Sequence, residues 1–202
     1  MHRTFFMVIG LIVILGLVSG CGGRNVKRYG VDKTIDLSGR WNDTDSRLVA
    51  EEMIKDCLMR PWINRFDEKN NREPVVIVGS VVNRSHEHIN SQVFTKDLEM
   101  TLLNSGQVKF VASKKERQEV RDERNSQQKG YTDEETIKAA GLETGADFML
   151  KGSINSVKDE IKGKYVILYQ VNLELIDLAT NQKVWIGQKE IKKFVKKGKF
   201  SL

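Results

Sequence analysis

Residues 73–83 read EPVVIVGSVVN, a run rich in β-branched side chains that is apolar on both of its faces. A strand with two apolar faces must be covered on both sides, so this run predicts a buried central strand. After it, apolar positions at helical spacing predict a helix, carried by Phe94, Leu98, Thr101 and Leu102. Gly106 is well placed to end that helix, and VKFVA at residues 108–112 predicts the next strand. Because the connection is short, we expect parallel strands joined by a right-handed crossover.

A helix is also predicted before this strand, within WNDTDSRLVAEEMIKDCLMRPW at residues 41–62. Asp45 or Ser46 is expected to cap its first turn, and Pro61 is expected to stop it. Its apolar face comprises Val49, Ala50, Met53, Ile54, Cys57 and Leu58. Residues 22–42 are Gly-rich and polar, and they predict a flexible tether that spans at most about 70 Å.

Two capping boxes follow the second strand. Ser113 with Glu116 opens a highly charged helix, KKERQEVRDERNSQQ, which has almost no apolar face and is expected on the surface. Thr132 with Glu135 predicts another helix over TIKAAGLETG.

The last part of the chain predicts three strands, over residues 146–157, 165–178 and 183–195. The polar turn ATNQ joins the last two strands and favours an antiparallel hairpin. In the middle strand, one alternating set of residues is expected to pack: Ile167, Tyr169, Val171, Leu173 and Leu175. Together the elements predict a single α/β domain over residues 44–202, with a mixed sheet of about four to five strands flanked by helices.

The first residues of the chain have the pattern of a targeting signal. An apolar run from Phe5 to Val18 follows Arg3 and is too short to cross a bilayer comfortably, so residues 1–20 predict a signal peptide. VSGC, ending at Cys21, resembles the lipobox of bacterial lipoprotein precursors. That resemblance implies cleavage after Gly20, acylation of Cys21, and a lipidated tether over residues 21–43. The alternative is a plain secretory signal with an accidental cysteine. Because Gly22 replaces the aspartate that retains many lipoproteins in the inner membrane, we expect an outer-membrane location.

Composition excludes some classes of protein. Once residues 1–20 are removed, 32 basic and 27 acidic residues remain, and this mild excess together with the export signal makes a nucleic-acid partner improbable. Cys57 is left without an intramolecular partner if Cys21 carries lipid, so we expect no disulfide framework and interpret Cys57 as a small core residue.

Several strings resemble the family of LpoB-type penicillin-binding-protein activators, over about residues 37–195. They are LSGRWNDTDSRLVAEEMI, VVIVGSVVNRSHEHI, FTKDLEMTLLNSGQVKFVAS and ETGADFMLKGSI. The strings are shared more loosely with the amino-terminal domain of TolB and with curli-secretion lipoproteins, so the resemblance implies a TolB amino-terminal-like fold. It also implies an outer-membrane lipoprotein whose domain contacts a bifunctional peptidoglycan synthase and stimulates its glycosyltransferase and transpeptidase activities. We expect the chain to be a monomer. Well-studied members carry a long Pro-rich tether, whereas residues 22–43 contain no proline.

Few residues are candidates for a functional site. Asn83 and Arg84 stand where the first strand gives way to a loop, at the carboxyl edge of a parallel pair, which is where open α/β sheets tend to meet ligands. We therefore take them as candidate partner-binding residues; the alternative is that Asn83 only bonds backbone in a turn. The tail KEIKKFVKKGKF predicts either contact with an anionic polymer or headgroup, or an edge strand that lysines protect from aggregation.

The residues that could form a catalytic or metal site lack the spacing that such a site needs. His86 and His88 with Glu87 between them invite a zinc site, but residues two apart point to opposite sides of an extended chain and the HExxH spacing is absent. Ser85 beside His86 lacks an orienting acid, and Gly141, Gly145 and Gly152 form no phosphate loop.

We therefore expect no catalytic residue, no metal and no cofactor. The predicted function is regulation of peptidoglycan synthesis by binding and activating a bifunctional penicillin-binding protein. The alternative is an oligomeric envelope assembly or secretion lipoprotein related to the curli export component.

Overall fold

The structure is a computed structural model that describes residues 26–138 and 141–196. The predicted signal peptide and Cys21 lie outside the described residues. Contacts divide the chain after Lys33. In the first part, the main-chain nitrogen of Lys33 donates to the carbonyl of Gly30 at 3.1 Å. The Lys33 ammonium lies 4.0 Å from the centroid of the Tyr29 ring.

The second part contains four described helices and five described strands. The helices are α1 (Asp43–Leu58), α2 (Trp62–Asn70), α3 (Ser91–Asn104) and α4 (Lys114–Gln127). The strands are β1 (Val75–Arg84), β2 (Lys109–Phe110), β3 (Phe148–Ile161), β4 (Lys164–Asp177) and β5 (Lys183–Lys196). None of the described helices has the length and apolarity needed to cross a membrane.

The strands form one mixed sheet in the order β2-β1-β3-β4-β5. β1 is parallel to both β2 and β3, whereas β3, β4 and β5 are successively antiparallel. The predicted α/β class with a mixed sheet of four to five strands is confirmed. The predicted central strand and the predicted hairpin of the last two strands are also confirmed.

Helices α1 and α3 pack against each other and against one face of the sheet, which we call the helix-covered face. The predicted packing set of β4 is buried there: Ile167, Tyr169, Val171, Leu173 and Leu175. Cys57 of α1 is a free and buried cysteine, and burial raises the pKa of its thiol to about 12. The interpretation of Cys57 as a core residue is therefore confirmed.

The start of α1 differs from the prediction. Asn42 is the cap: its side chain accepts from the main-chain nitrogen of Asp45 at 3.0 Å, while the Asp45 carboxylate accepts from the main-chain nitrogen of Asn42 at 2.9 Å. The predicted caps, Asp45 and Ser46, lie inside the first turn. Asp45 is the third helical residue of a capping box, and its carboxylate accepts the bond from the main-chain nitrogen of the cap.

A short helix was missed, and another was predicted wrongly. Pro61 precedes α2, whose Trp62 indole donates to the carbonyl of Cys57 at 2.8 Å and packs on Phe148. By contrast, residues 131–138 and 141–147 contain no helix, and Asp133 instead closes a turn with Thr136. A short segment with two glycines and little apolar surface does not recover the cost of helix nucleation.

Candidate partner-binding site

Asn83 and Arg84 lie at the carboxyl end of β1, where the sequence predicted them. In the parallel ladder they stand opposite Ile154 and Asn155 of β3. Beyond Arg84 the chain forms the loop of residues 85–90, which ends at Asn90, the cap of α3. Within this loop, Ile89 is buried in the core and the half-buried Glu87 contacts Tyr169 on the helix-covered face.

Asn83 organises this loop through both ends of its amide. Its Nδ2 donates to the carbonyl oxygen of Glu87 at 2.8 Å and lies 3.4 Å from that of Ile89. Its Oδ1 accepts from the main-chain nitrogen of Ser85 at 2.9 Å and lies 2.7 Å from the Ser85 hydroxyl. The side chain thus bonds backbone in a turn, as the simpler interpretation of Asn83 states, and it holds the loop in one conformation.

Arg84 has the opposite environment. Its side chain is exposed, and strand alternation puts it with Asn155 on the face of the sheet turned away from α1 and α3, which we call the open face. A guanidinium presented from a strand is available for bidentate bonding to a carboxylate of a partner.

The histidines beside these residues are not assembled into a reactive site. The Nδ1 of His86 lies 3.1 Å from the hydroxyl of Ser156, whereas the hydroxyl of Ser85 contacts Asn83 and the carbonyl of Glu87. Ser85 and His86 are therefore not brought together as nucleophile and base. In the part of the chain that the structure describes, no group of three or more potential ligand residues is arranged to hold a metal ion.

A buried network ties the loop to the sheet and was not predicted. The Tyr169 hydroxyl donates to the Glu87 carboxylate at 2.7 Å and accepts from the main-chain nitrogen of Trp41 at 3.0 Å. Burial, together with the bond to Glu87, raises the pKa of Tyr169. The Trp41 ring also meets the edges of Phe94 and Tyr169. The sequence offered one signal, a tyrosine within an otherwise aliphatic packing set, since a buried phenol needs a partner.

The lysines of β5 divide between the two faces of the sheet. Lys193 lies on the helix-covered face, where its ammonium contacts Asp45 at 2.6 Å and Asp36 at 2.9 Å. Burial by itself lowers the pKa of Lys193, but the bonds to Asp45 and Asp36 outweigh it and the net shift is upward. Lys192 and Lys196 are exposed on the open face. β5 is an edge strand, as one of the two interpretations of this tail predicted.

The candidate site combines a loop held by Asn83, an exposed arginine and a sheet face that α1 and α3 do not cover.

Comparison with known proteins identifies relatives. The family model described as the peptidoglycan-synthase activator LpoB matches residues 45–191. No curated protein sequence matches this chain.

Solved structures that are similar to the chain include the following three. The LpoB C-terminal domain from Escherichia coli is 17% identical, with a TM-score of 0.44, over 76% of this chain and 99% of that one. The LpoB C-terminal domain from Salmonella enterica is 18% identical, with a TM-score of 0.35, over 66% and 94%. Lipoprotein GNA1162 from Neisseria meningitidis is 16% identical, with a TM-score of 0.37, over 61% and 84%.

Proposed function

We propose a function from one premise: the chain belongs to the family of the peptidoglycan-synthase activator LpoB, whose model matches residues 45–191. In this proposal the chain is a monomer that binds a bifunctional penicillin-binding protein and raises its glycosyltransferase and transpeptidase activities. It performs no chemistry of its own and needs no cofactor. The family match over most of the chain is the observation that carries the proposal.

The proposal includes a lipid anchor. Residues 1–20 are removed as a signal peptide, Cys21 is acylated, residues 21–43 form a tether, and residues 44–202 form the domain. The lipobox VSGC supports this, since each buried methylene of an acyl chain contributes about 0.8 kcal/mol and two or more chains anchor stably. With Gly22 after the cysteine, the anchor is expected in the outer membrane, with the domain at its periplasmic side.

The proposed contact with the synthase includes Arg84 and the loop that Asn83 holds. A protein that activates by binding must bind the active state of its partner more tightly than the resting state. A preorganised loop strengthens such binding, because little conformational entropy is lost when it docks.

The test measures glycan polymerisation by a purified bifunctional synthase, with and without the acylated full chain in detergent. We expect stimulation by the natural chain. Arg84→Glu is expected to weaken the stimulation by about tenfold or more, because the reversed charge repels the acidic group of the partner that the arginine would bind.

The matched control is Arg65→Glu on α2, another exposed arginine, which should stimulate as well as the natural chain does. Failure of the natural chain to crosslink to a synthase, together with a homogeneous ring in mass photometry, would contradict the proposal. That result would favour the assembly or secretion alternative.

A further inference from the structure

The end of the sheet farthest from α2 carries an apolar patch on its open face. Three cross-strand rows form it, and each row takes one residue from β3, one from β4 and one from β5. Its apolar members are Val157, Ile161, Val166, Leu168 and Phe194. Phe194 is 66% exposed, Ile161 is 71% exposed and Val157 is 68% exposed. Farther along the same face, the next two rows are polar: Asn155, Gln170 and Glu190, then Ser153, Asn172 and Gln188.

Basic side chains flank these apolar residues along β5 and at the end of the sheet. Lys164, Lys192 and Lys196 occupy the remaining positions of the rows with one aspartate, Asp159. Lys162 extends the set at the turn between β3 and β4. We call these residues and the five apolar ones the distal patch. Its composition, exposed aliphatic and aromatic groups flanked by four lysines, is complementary to an anionic surface with an apolar interior.

The chain enters the domain at the same end of the sheet. The carbonyl of Ser38 accepts from the Tyr165 hydroxyl at 2.7 Å, and Asp36 bonds Lys193. Gly39 has φ +69° and comes so close to Val195 that a Cβ there would lie 2.0 Å from its side chain. The beginning of the folded chain is therefore held against the strand ends that carry the distal patch.

The distance to the anchor limits what the distal patch can reach. Cys21 and Thr34 are 13 residues apart, and a chain of that length spans at most about 45 Å even when it is fully extended. If Cys21 is acylated, the distal patch is thus held near the bilayer at high local concentration, so even a weak lipid contact is populated.

We propose that the distal patch docks on the anionic phospholipid surface of the membrane that holds the lipid anchor. This inference rests on the anchor in the proposed function. Lysines bind the headgroups, while Phe194 and Ile161 enter the boundary between headgroups and acyl chains. A second copy of the chain is a poor occupant, because the same lysines would face each other. Arg84 lies on the same open face, opposite Asn155 in the row next to the distal patch, so membrane docking and the proposed contact of Arg84 with a synthase compete for this face.

The test places an environment-sensitive fluorophore in the acylated full chain, which is reconstituted into phosphatidylglycerol vesicles. Lys162→Cys carries the probe in the distal patch, and Ala179→Cys carries it at the turn between β4 and β5, at the opposite end of the sheet. The thiol of Cys57 stays unlabelled because it is buried and its pKa is raised. We expect a blue shift of the probe at position 162 but not at position 179, and a smaller shift in phosphatidylcholine vesicles.

Charge reversal tests the cause of that shift. Lys164→Glu, Lys192→Glu and Lys196→Glu together should abolish it, with the docked fraction lowered about tenfold or more, because each basic residue contributes separately to binding an anionic leaflet. The control reverses three exposed lysines of the helices, Lys55, Lys69 and Lys114, and should keep the shift. Phe194→Ser is a second variant at an exposed position and should reduce the shift without changing the circular dichroism spectrum.

Flotation of the vesicles separates the possible failures. A chain that floats while the probe at position 162 stays in water contradicts membrane docking alone, and then a protein partner is the better occupant of the distal patch. A chain that does not float contradicts both the anchor and the docking. Stimulation of the synthase in detergent is measured independently of both.

Discussion

At position 152 in β3, the neighbouring strand leaves no room for a side chain, so the residue there must be glycine. A Cβ at this position would lie 2.1 Å from the carbonyl oxygen of Asn172 and 2.6 Å from the side chain of Leu173, both in β4. The sequence allowed us only to exclude Gly152 from a phosphate loop. Its actual constraint is a close approach of two backbones, which appears only when β3 and β4 are paired.

We expect Gly152→Ala to destabilise the protein by about 2 kcal/mol, because the neighbouring backbone cannot move away without breaking ladder bonds. Chemical denaturation monitored by circular dichroism measures the change. Gly145→Ala is the control, since a Cβ there meets no atom within 4 Å, and it should stay within about 0.5 kcal/mol of the natural chain. Equal effects of the two substitutions would show that the close approach is absent.

The candidate site was predictable in part at this scale. Asn83 and Arg84 were found because a strand end followed by polar residues is a local pattern. The contacts of Glu87 were not found, since its partners Tyr169 and Trp41 are 82 and 46 residues away in the chain. No spacing in the sequence links groups that far apart.

At the scale of elements, the clearest feature is the set of hydrogen bonds and ion pairs that joins residues 36–42 to the sheet. Lys193 of β5 bonds Asp36, the carbonyl of Arg40 and Asp45 of α1, while Trp41 donates to Tyr169 of β4. The predicted boundary between tether and domain, after residue 43, stays a prediction. Trp41 and Asn42 nevertheless already contact the folded elements, so strand, helix and preceding segment are stabilised together.

Lys193→Ala should lower the free energy of unfolding by about 2 kcal/mol, because Asp45 and Asp36 lose a charged donor in a partly buried position. Lys192→Ala, one residue away on the open face, is the control and should cost under about 0.5 kcal/mol. Since the ion pairs raise the pKa of Lys193, this stabilisation is present at neutral pH and is lost as the pH rises through the raised pKa. Urea denaturation of both variants checks the difference.

The start of α4 has the opposite pH dependence. Hydrogen bonds from Lys96 of α3 and from the capping residue Ser113 lower the pKa of Glu116 to about 2. The resulting stabilisation is complete above the ordinary glutamate value of about 4.3 and is lost as the pH falls from there towards 2. Because the pair is exposed, it contributes only about 0.5 kcal/mol.

We expect Lys96→Met to raise the pKa of Glu116 from about 2 towards its ordinary value, since the largest cause of the lowered pKa is removed. An NMR titration of the Glu116 carboxyl carbon measures it. Lys115→Met, an exposed residue in the first turn of the same helix, should leave the midpoint in place. A midpoint still near 2 without Lys96 would mean that the cap alone causes the shift.

At the scale of the whole molecule, the mixed sheet has two unlike faces. The helix-covered face is closed by α1 and α3, and the open face carries polar rows in its middle and the distal patch at one end. The proposed lipid anchor would make this asymmetry functional, because it determines which end of the domain lies near the bilayer.

Cys21→Ser should remove the chain from the membrane fraction, because a hydroxyl does not replace the thiol that carries the lipid in the proposed anchor. Mass spectrometry of the natural chain should show the added acyl mass, and the serine variant should lack it. Cys57→Ala is the control, since that cysteine is buried in the core and should not affect membrane association. A serine variant that stays as firmly membrane-bound as the natural chain would contradict the anchor.

The sequence by itself determined the helices and strands that have a strong periodic pattern. It was also sufficient to identify the resemblance to the family. Alternation along β4 and the cap of α4 are local consequences of backbone geometry, so they are readable from neighbouring residues. Only the tertiary structure decided the strand order, the division of the β5 lysines between two faces, and the partners of Tyr169 and Lys193. Those features join residues up to 157 positions apart, and packing, not local geometry, brings such residues together.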